Sequence, residues 1–194
     1  RAYERGDLRR ALDLWPPHLR EEREVLAALA GGAAPERAAG ALPAGLRRLF
    51  GAAYQAFLFN ALLDARLPTI DRLERGDLAI VHATDAYYLV EDPAAEQSRA
   101  DRLEVSPSGP LYGFKVRLAR EEVGDREHGL LRREGLRPDD LRAARLVGER
   151  RAFRVPLEGA EVAAEGSDLV LRFSLPPGAY ATSVLREVTK GEVS

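Results

Sequence analysis

The feature that most constrains the fold is a long stretch of apolar residues at helical spacing between residues 43 and 67. The apolar side chains recur every three or four residues over about five turns, so they form one stripe along a helix. The stripe consists of Leu46, Leu49, Phe50, Ala53, Tyr54, Phe57, Leu58, Ala61, Leu62 and Ala65. This pattern predicts a core helix that ends near Pro68. Tyr54, Phe57 and Phe59 could instead form a base-stacking set, although aromatics at this spacing more often pack in a core.

Shorter helices are predicted on either side of this one. Residues 3–31 indicate two helices that are separated at Trp15-Pro16-Pro17, because proline disfavours helix in the residue before it. The small-residue connector 31–43 has room for one helical turn. A charged helix is predicted over residues 120–133, and a shorter one over 138–145.

Alternating segments in the second half of the chain predict β-structure. Residues 76–92 indicate two strands around a turn near Asp85, with a further strand at 111–119 and a long loop at 91–110 between them. Strands are also predicted at 151–157 and, half-buried, at 169–175, with a polar turn region at 159–168 between them. Together with the helices, these segments predict an α+β fold.

Composition excludes several classes of protein. The chain has no cysteine, and His18, His82 and His128 are too scattered to suggest a metal site. No apolar run is long enough to span a membrane, and the charged start does not resemble a signal peptide, so we expect a cytoplasmic protein. Standard hydrolase, metalloprotease and nucleotide-binding motifs do not occur. Methionine is missing even at position 1, so we expect a piece of a longer protein.

A basic segment is the clearest candidate for contact with a nucleic acid. Eight arginines and four acidic residues lie between Arg132 and Arg154, whereas the whole chain has a net charge of -2. Such a patch could hold a phosphate backbone, but it would also fit an ordinary solvated surface.

The sequence LPPGAYATSVLRE, residues 175–187, predicts a tight connection from a strand into a short amphipathic helix. Gly178 is the expected cap, and the free N–H groups of the helix N-terminus could receive a phosphate. Tyr180 lies in the first turn, and Arg186 follows about 120 degrees around the helix, so the two would serve different contacts. A purely structural corner is the alternative.

The residues of this corner closely resemble the C-terminal signature of the TruD-type tRNA pseudouridine synthases. In that family a strand is followed by L-P-x-G-x-[YF]-A-T, a short apolar pair and Arg-Glu, as in LRFSLPPGAYATSVLRE at residues 171–187. Other segments resemble family motifs in the same order: FLFNALLDARL at 57–67, RGDLAI at 75–80, SPSGPLYG at 106–113 and GERRAFRVP at 148–156.

The resemblance implies an α+β fold. Part of the pseudouridine synthase catalytic domain, with its mixed, largely antiparallel sheet, would be present, together with an inserted α/β domain. The implied boundaries are 1–46 for the end of the first catalytic segment, 47–152 for the inserted domain and 153–194 for the closing segment. The implied activity is isomerisation of uridine to pseudouridine in tRNA, at position 13 in this family, with no cofactor and no metal. The target base would be flipped into a pocket and attacked by an aspartate.

The resemblance also suggests site residues. Tyr180 occupies the aromatic position of the signature and is expected to pack against the target base, and the other substrate-binding candidates are Arg186, Asn60, Arg66, Arg150 and Arg151. The family motifs that contain and follow the nucleophilic aspartate do not occur here, so no catalytic residue is assigned in this chain, and the isolated chain is expected to be inactive. Asp64, Asp77 and Asp168 lie in the wrong sequence contexts. The alternative is a non-catalytic RNA-binding module on the same scaffold.

Overall fold

A computed structural model of the chain describes residues 5–166 and 168–190. The chain divides into two compact units, Arg1–Tyr54 and Gln55–Ser194. No helix in the described part of the chain is both long enough and apolar enough to cross a membrane.

The first unit contains three short helices, α1 (Leu8–Leu14), α2 (Arg20–Ala30) and α3 (Pro35–Gly40). The break at the two prolines and the single helical turn in the connector are confirmed. The side chain of Asp7 accepts a hydrogen bond from Arg10 N, which caps α1. Arg23 donates to the carbonyls of Leu12 and Trp15, each at 2.8 Å, and so fixes the corner between α1 and α2.

The long helix is confirmed as α4, Ala44–Arg66, which begins in the first unit and ends in the second. The prediction that its whole apolar stripe forms a core is wrong. Leu49 and Phe57 are 59% and 58% exposed, whereas Phe59, which lies outside the stripe, is buried against the ring of Phe153. Helical spacing identifies the helix, but it does not determine which part of an apolar face other elements cover.

The second unit is built on a four-stranded antiparallel sheet in the order β2-β1-β3-β4. Its strands are β1 (Leu78–Val81), β2 (Tyr87–Leu89), β3 (Val105–Leu111) and β4 (Glu149–Ala152). The predicted β1–β2 hairpin is confirmed, and Asp85 adopts a left-handed conformation in its turn, with φ 57°. Antiparallel neighbours on both sides bury most of β1.

The predictions for residues 91–119 are wrong. The supposed loop contains a helix, α5 (Pro93–Asp101), which Asp92 caps, and the central strand β3. The sequence of β3, VSPSGPL, contains two prolines and a glycine, which normally indicate a turn. Proline lacks only the N–H donor, so its carbonyl can still bond to a neighbouring segment: Pro107 O accepts a hydrogen bond from Phe153 N at 2.9 Å. The strand predicted at 111–119 is largely irregular chain that follows β3.

Both charged helices of the second unit are confirmed, as α6 (Glu121–Arg133) and α7 (Pro138–Ala143). Their apolar sides form one core cluster together with the C-terminal part of α4, made of Leu58, Tyr112, Leu130, Leu131 and Leu141. A second cluster beside the sheet contains Leu73, Ala79, Val90, Ala100 and Val105. The core therefore lies where α4, α6 and the sheet meet.

The chain continues into a separate two-stranded sheet, β5 (Glu158–Glu165) and β6 (Asp168–Ser174), and then into α8 (Ala181–Thr189). The polar turn predicted at 159–168 is wrong, because most of it is β5. The strand predicted at 151–157 is correct only to Ala152. The strand at 169–175 is confirmed as β6, but it is less buried than expected, since Leu169 is 70% exposed. The predicted α+β class is confirmed.

Close backbone packing makes Gly113 sensitive to substitution. A Cβ at Gly113 would lie 2.2 Å from Gly148 N, whereas a Cβ at Gly129, inside α6, would meet only the end of the Arg132 side chain at 3.8 Å. We expect Gly113→Ala to lower the free energy of unfolding by about 2–3 kcal/mol. Gly129→Ala should raise it by about 0.5–1 kcal/mol. Urea denaturation of both variants checks this, and equal effects would contradict it.

Candidate functional site

The strand-to-helix corner has the geometry that its sequence suggests, with one correction. Gly178 adopts φ +87° and turns the chain, and Ala179 N donates to Pro176 O at 3.2 Å. Gly178 is not the helix cap, however. The N-cap of α8 is Tyr180, two residues later, in an extended conformation and with no side-chain cap, and the helix itself starts at Ala181. The glycine is needed for the positive φ of the turn.

Tyr180 is presented to solvent at this corner, with 73% of its surface exposed. Arg186 is also exposed, farther along α8. Within the described residues, no hydrogen bond or ion pair joins either side chain to another site candidate. A large aromatic held at the start of a helix, with its ring uncovered, is suited to packing against a flat ligand such as a base.

Arg66, at the end of α4, is buried rather than presented to solvent. Its guanidinium contacts Asp77 at 2.8 Å and Glu74 at 2.6 Å, and it also donates to Arg72 O at 2.7 Å. Asp77 accepts a further hydrogen bond from Glu74 N. Burial raises the pKa of the Asp77 carboxyl, and the charge of Arg66 opposes that shift. Arg66 is therefore engaged within the fold, between α4 and the residues that precede β1.

Arg150, on β4, is buried in the same way, with 1% of its side chain exposed. Its guanidinium contacts both carboxylate oxygens of Glu127, at 2.8 and 3.0 Å, and donates from Nε to Ser108 Oγ at 3.1 Å. Glu127 also accepts from Ala119 N at 2.8 Å. Burial raises the pKa of the Glu127 carboxyl, whereas Arg150 lowers it. The pair joins α6 to the sheet.

The two remaining candidates, Asn60 and Arg151, are exposed. Among the residues that the structure describes, the one ion pair of Arg151 is a distant contact with Glu149, at 3.9 Å. The arginines of the basic segment therefore do not form one continuous surface. Arg154 donates to Ala100 O, Arg137 pairs with Asp140, and Arg142 lies over the ring of Phe114.

Sequence reasoning missed the two carboxylates that hold these arginines. Glu127 lies 23 residues from Arg150, and Asp77 lies 11 residues from Arg66. One signal was present, because Glu127 interrupts a helix face that is otherwise apolar, between Val123 and Leu131. No group of histidines and carboxylates in the described ranges could hold a metal ion. His82 instead contacts Ser106 Oγ at 2.8 Å.

Comparison with solved structures shows that the fold of this chain occurs in another protein. The structure matches the putative tRNA pseudouridine synthase D (TruD) from Methanosarcina mazei with a TM-score of 0.66 and 24% identity, over 98% of this chain and 49% of that one. The family model described as tRNA pseudouridine synthase D (TruD) matches residues 1–188. The chain belongs to the TruD family.

Curated relatives are considerably more similar in sequence. The tRNA pseudouridine synthase D of Geobacter sulfurreducens is 47% identical over 193 residues, which cover 97% of this chain and 47% of that protein. The protein of the same name from Thermus thermophilus is 45% identical over 149 residues, 76% of this chain and 41% of its own length. The chain spans about half the length of the relatives it matches.

Removal of the buried carboxylate of Glu127 tests the role of the Arg150 pair. We expect Glu127→Gln to lower the free energy of unfolding by about 3–5 kcal/mol, because the Arg150 charge stays buried without its counter-charge. Glu149→Gln, which removes a carboxylate from the exposed pair with Arg151, should change it by less than about 0.5 kcal/mol. Urea denaturation of the two variants measures both values. A small effect at Glu127 would contradict the role that we assign to the buried pair.

Proposed function

We propose that this chain is part of an enzyme that isomerises uridine to pseudouridine in tRNA, at position 13 as its family resemblance implies. The observation that carries the proposal is the match at 47% identity to a tRNA pseudouridine synthase D, over nearly the whole chain. The exposed Tyr180, in the signature segment, supports it. The reaction exchanges one glycosidic bond for another and needs no cofactor, and we place it in the cytoplasm with tRNA as the partner.

In this proposal Tyr180 packs against the target uridine after the base has been flipped out of the RNA. Asn60, Arg151 and Arg186 are the exposed candidates for contact with the substrate. Arg66 and Arg150 take a positioning role, because carboxylates of the same chain hold their guanidinium groups. The nucleophilic aspartate would come from sequence outside these 194 residues. Asp77 is a poor candidate because it is fully buried beside Arg66.

We further propose that residues 1–46 and 153–194 belong to a catalytic domain, into which residues 47–152 are inserted. The separate β5–β6 hairpin supports this division. Val162 and Leu169 are exposed on it, and a two-stranded sheet is only marginally stable without further packing. The compact units divide at a different place, between Tyr54 and Gln55 within α4.

Substitution of Tyr180 in the complete protein tests its role at the base. We expect Tyr180→Ala to lower kcat about 10- to 100-fold, with less than about threefold change in tRNA affinity, since stacking on a base contributes about 1–3 kcal/mol. Tyr180→Phe should retain most of the activity. Tyr87→Ala, at another exposed tyrosine, is the control. Release of tritium from C5 of uridine measures turnover, and equal losses in kcat and affinity would make Tyr180 a binding residue.

The origin of the nucleophile can be tested by comparing two polypeptides. Residues 1–194 alone should release no C5 tritium from tRNA, whereas the complete protein should do so. Activity of the isolated polypeptide would contradict the proposed location of the aspartate. Salt-sensitive tRNA binding by an inactive complete protein would favour the non-catalytic RNA-binding module instead.

A further inference from the structure

A groove lies in the second unit between the C-terminal part of α4 and α6, with a volume of about 690 Å³. None of the exposed candidates Tyr180, Asn60, Arg151 and Arg186 lines it. We call it the α4–α6 groove and define it by the lining residues Leu62, Arg66, Arg126, Arg132, Arg133 and Phe153. Its volume lies within the range of small-molecule sites and is sufficient for one nucleotide.

The charges of the groove favour an anion. The glutamates that line it, Glu74 and Glu127, already face arginines: Arg126 and Arg66 contact Glu74, and Arg150 contacts Glu127. The second counter-charge of Arg66, Asp77, is fully buried.

Two further arginines line the rim of the groove. Arg132 and Arg133, at the C-terminal end of α6, are exposed, and no carboxylate of the described residues pairs with either of them. Two such guanidinium groups at the rim of a groove are suited to a phosphate, whose oxygens accept their planar, forked donors.

A second observation independently indicates a polar ligand. Arg66 lines the groove and is only 5% exposed. Its Nε is buried and has no hydrogen-bond partner in the described part of the chain. A buried donor without a partner costs about 1–3 kcal/mol, so native structures rarely retain one. A ligand oxygen that reached this Nε from the groove would satisfy it.

Part of the groove wall is apolar and closely packed. Phe153 lies with its ring centroid 5.4 Å from that of Phe59. A Cβ on Gly109 would come within 2.6 Å of the Phe153 ring, so this ring packs directly on the backbone of β3. Ala61, Leu62 and Ala65 of α4 also line the groove with small or apolar side chains. An aromatic ring packed among such residues can hold a base with little loss of entropy.

We propose that the α4–α6 groove binds one unstacked nucleotide of the RNA, other than the target uridine, with its phosphate on Arg132 and Arg133 and its base against Phe153. The inference rests on the proposed function, since it takes RNA as the substrate. It adds a second point of attachment, on the part of the chain that carries α6. Binding at two separated points would fix the register of a folded RNA before any base is flipped.

The charge of the groove is tested in the complete protein with the double variant Arg132→Gln/Arg133→Gln. The probe is a fluorescein-labelled tRNA transcript, whose binding is measured over a series of NaCl concentrations. We expect about tenfold weaker binding near 100 mM NaCl and a log–log salt slope that is shallower by about one to two. Both residues are exposed, so the melting temperature should stay within about two degrees of that of the wild type.

The matched control is Arg142→Gln/Arg145→Gln, which removes the same charge from exposed arginines that do not line the groove. It should weaken binding by less than about twofold. Equal weakening by both double variants would overturn the inference in favour of a diffuse positive field. Unchanged tRNA affinity of the groove variant would also overturn the inference. If its melting temperature also fell, the two arginines would instead contact another segment of the complete protein that occupies the groove.

Phe153→Leu tests the base contact separately from the phosphate contact. It should weaken tRNA binding about tenfold without changing the salt slope, because stacking releases no counterions. If binding is unchanged in a variant that is folded by circular dichroism, the base contact is excluded.

Catalysis is measured in parallel by C5 tritium release. Wild-type turnover together with unaffected binding by both groove variants would refute the groove and leave the proposed function intact, whereas tight, groove-dependent binding without turnover would refute only the function.

Discussion

The second unit depends on the buried ion pair between Glu127 and Arg150. Glu127 lies on α6 and Arg150 on β4, and the hydrogen bonds of the pair extend to Ser108 on β3 and to the backbone of Ala119. Ser108 in turn donates to Leu78 O on β1. Removing two charges from water is costly, and the cost is recovered only when the remaining donors and acceptors are also satisfied. The pair meets this condition, so it sets the position of α6 against three strands.

A second network holds the same helix through the neighbouring residue Arg126. Arg66 at the end of α4 contacts Asp77 and Glu74, and Glu74 also contacts Arg126 on α6. The helix α6 is therefore held to the sheet by one set of ion pairs and to α4 by another. These sets engage Glu74, Asp77 and Glu127, and no ion pair within the described residues involves Arg132 or Arg133 on the exposed end of α6. The same arrangement that stabilises the fold thus leaves positive charge beside the α4–α6 groove.

The sequence predicts some of these elements well and others poorly, for reasons that differ between them. Helix α4 follows from apolar spacing and α6 from its run of charged residues, because helix formation is signalled by local sequence. Strand β3 does not, because Pro107 and Pro110 normally indicate a turn, and β5 does not, because its glutamates and alanines have little strand preference. The site divides similarly. The corner at Tyr180 could be recognised from contiguous residues, but the burial of Arg66 and Arg150 depends on carboxylates elsewhere in the chain.

Net charge alone would argue against an RNA-binding role, since the chain carries -2 overall. The structure resolves this difficulty through the location of the charges. Several acidic residues face arginines inside the fold or across its surface, as Asp77, Glu127 and Asp140 do. Interactions between exposed charges are screened beyond about 8–10 Å at physiological ionic strength. A phosphate at the end of α6 would therefore respond mainly to the charges within that distance, which include Arg132 and Arg133, so an acidic chain can still carry a local site for a polyanion.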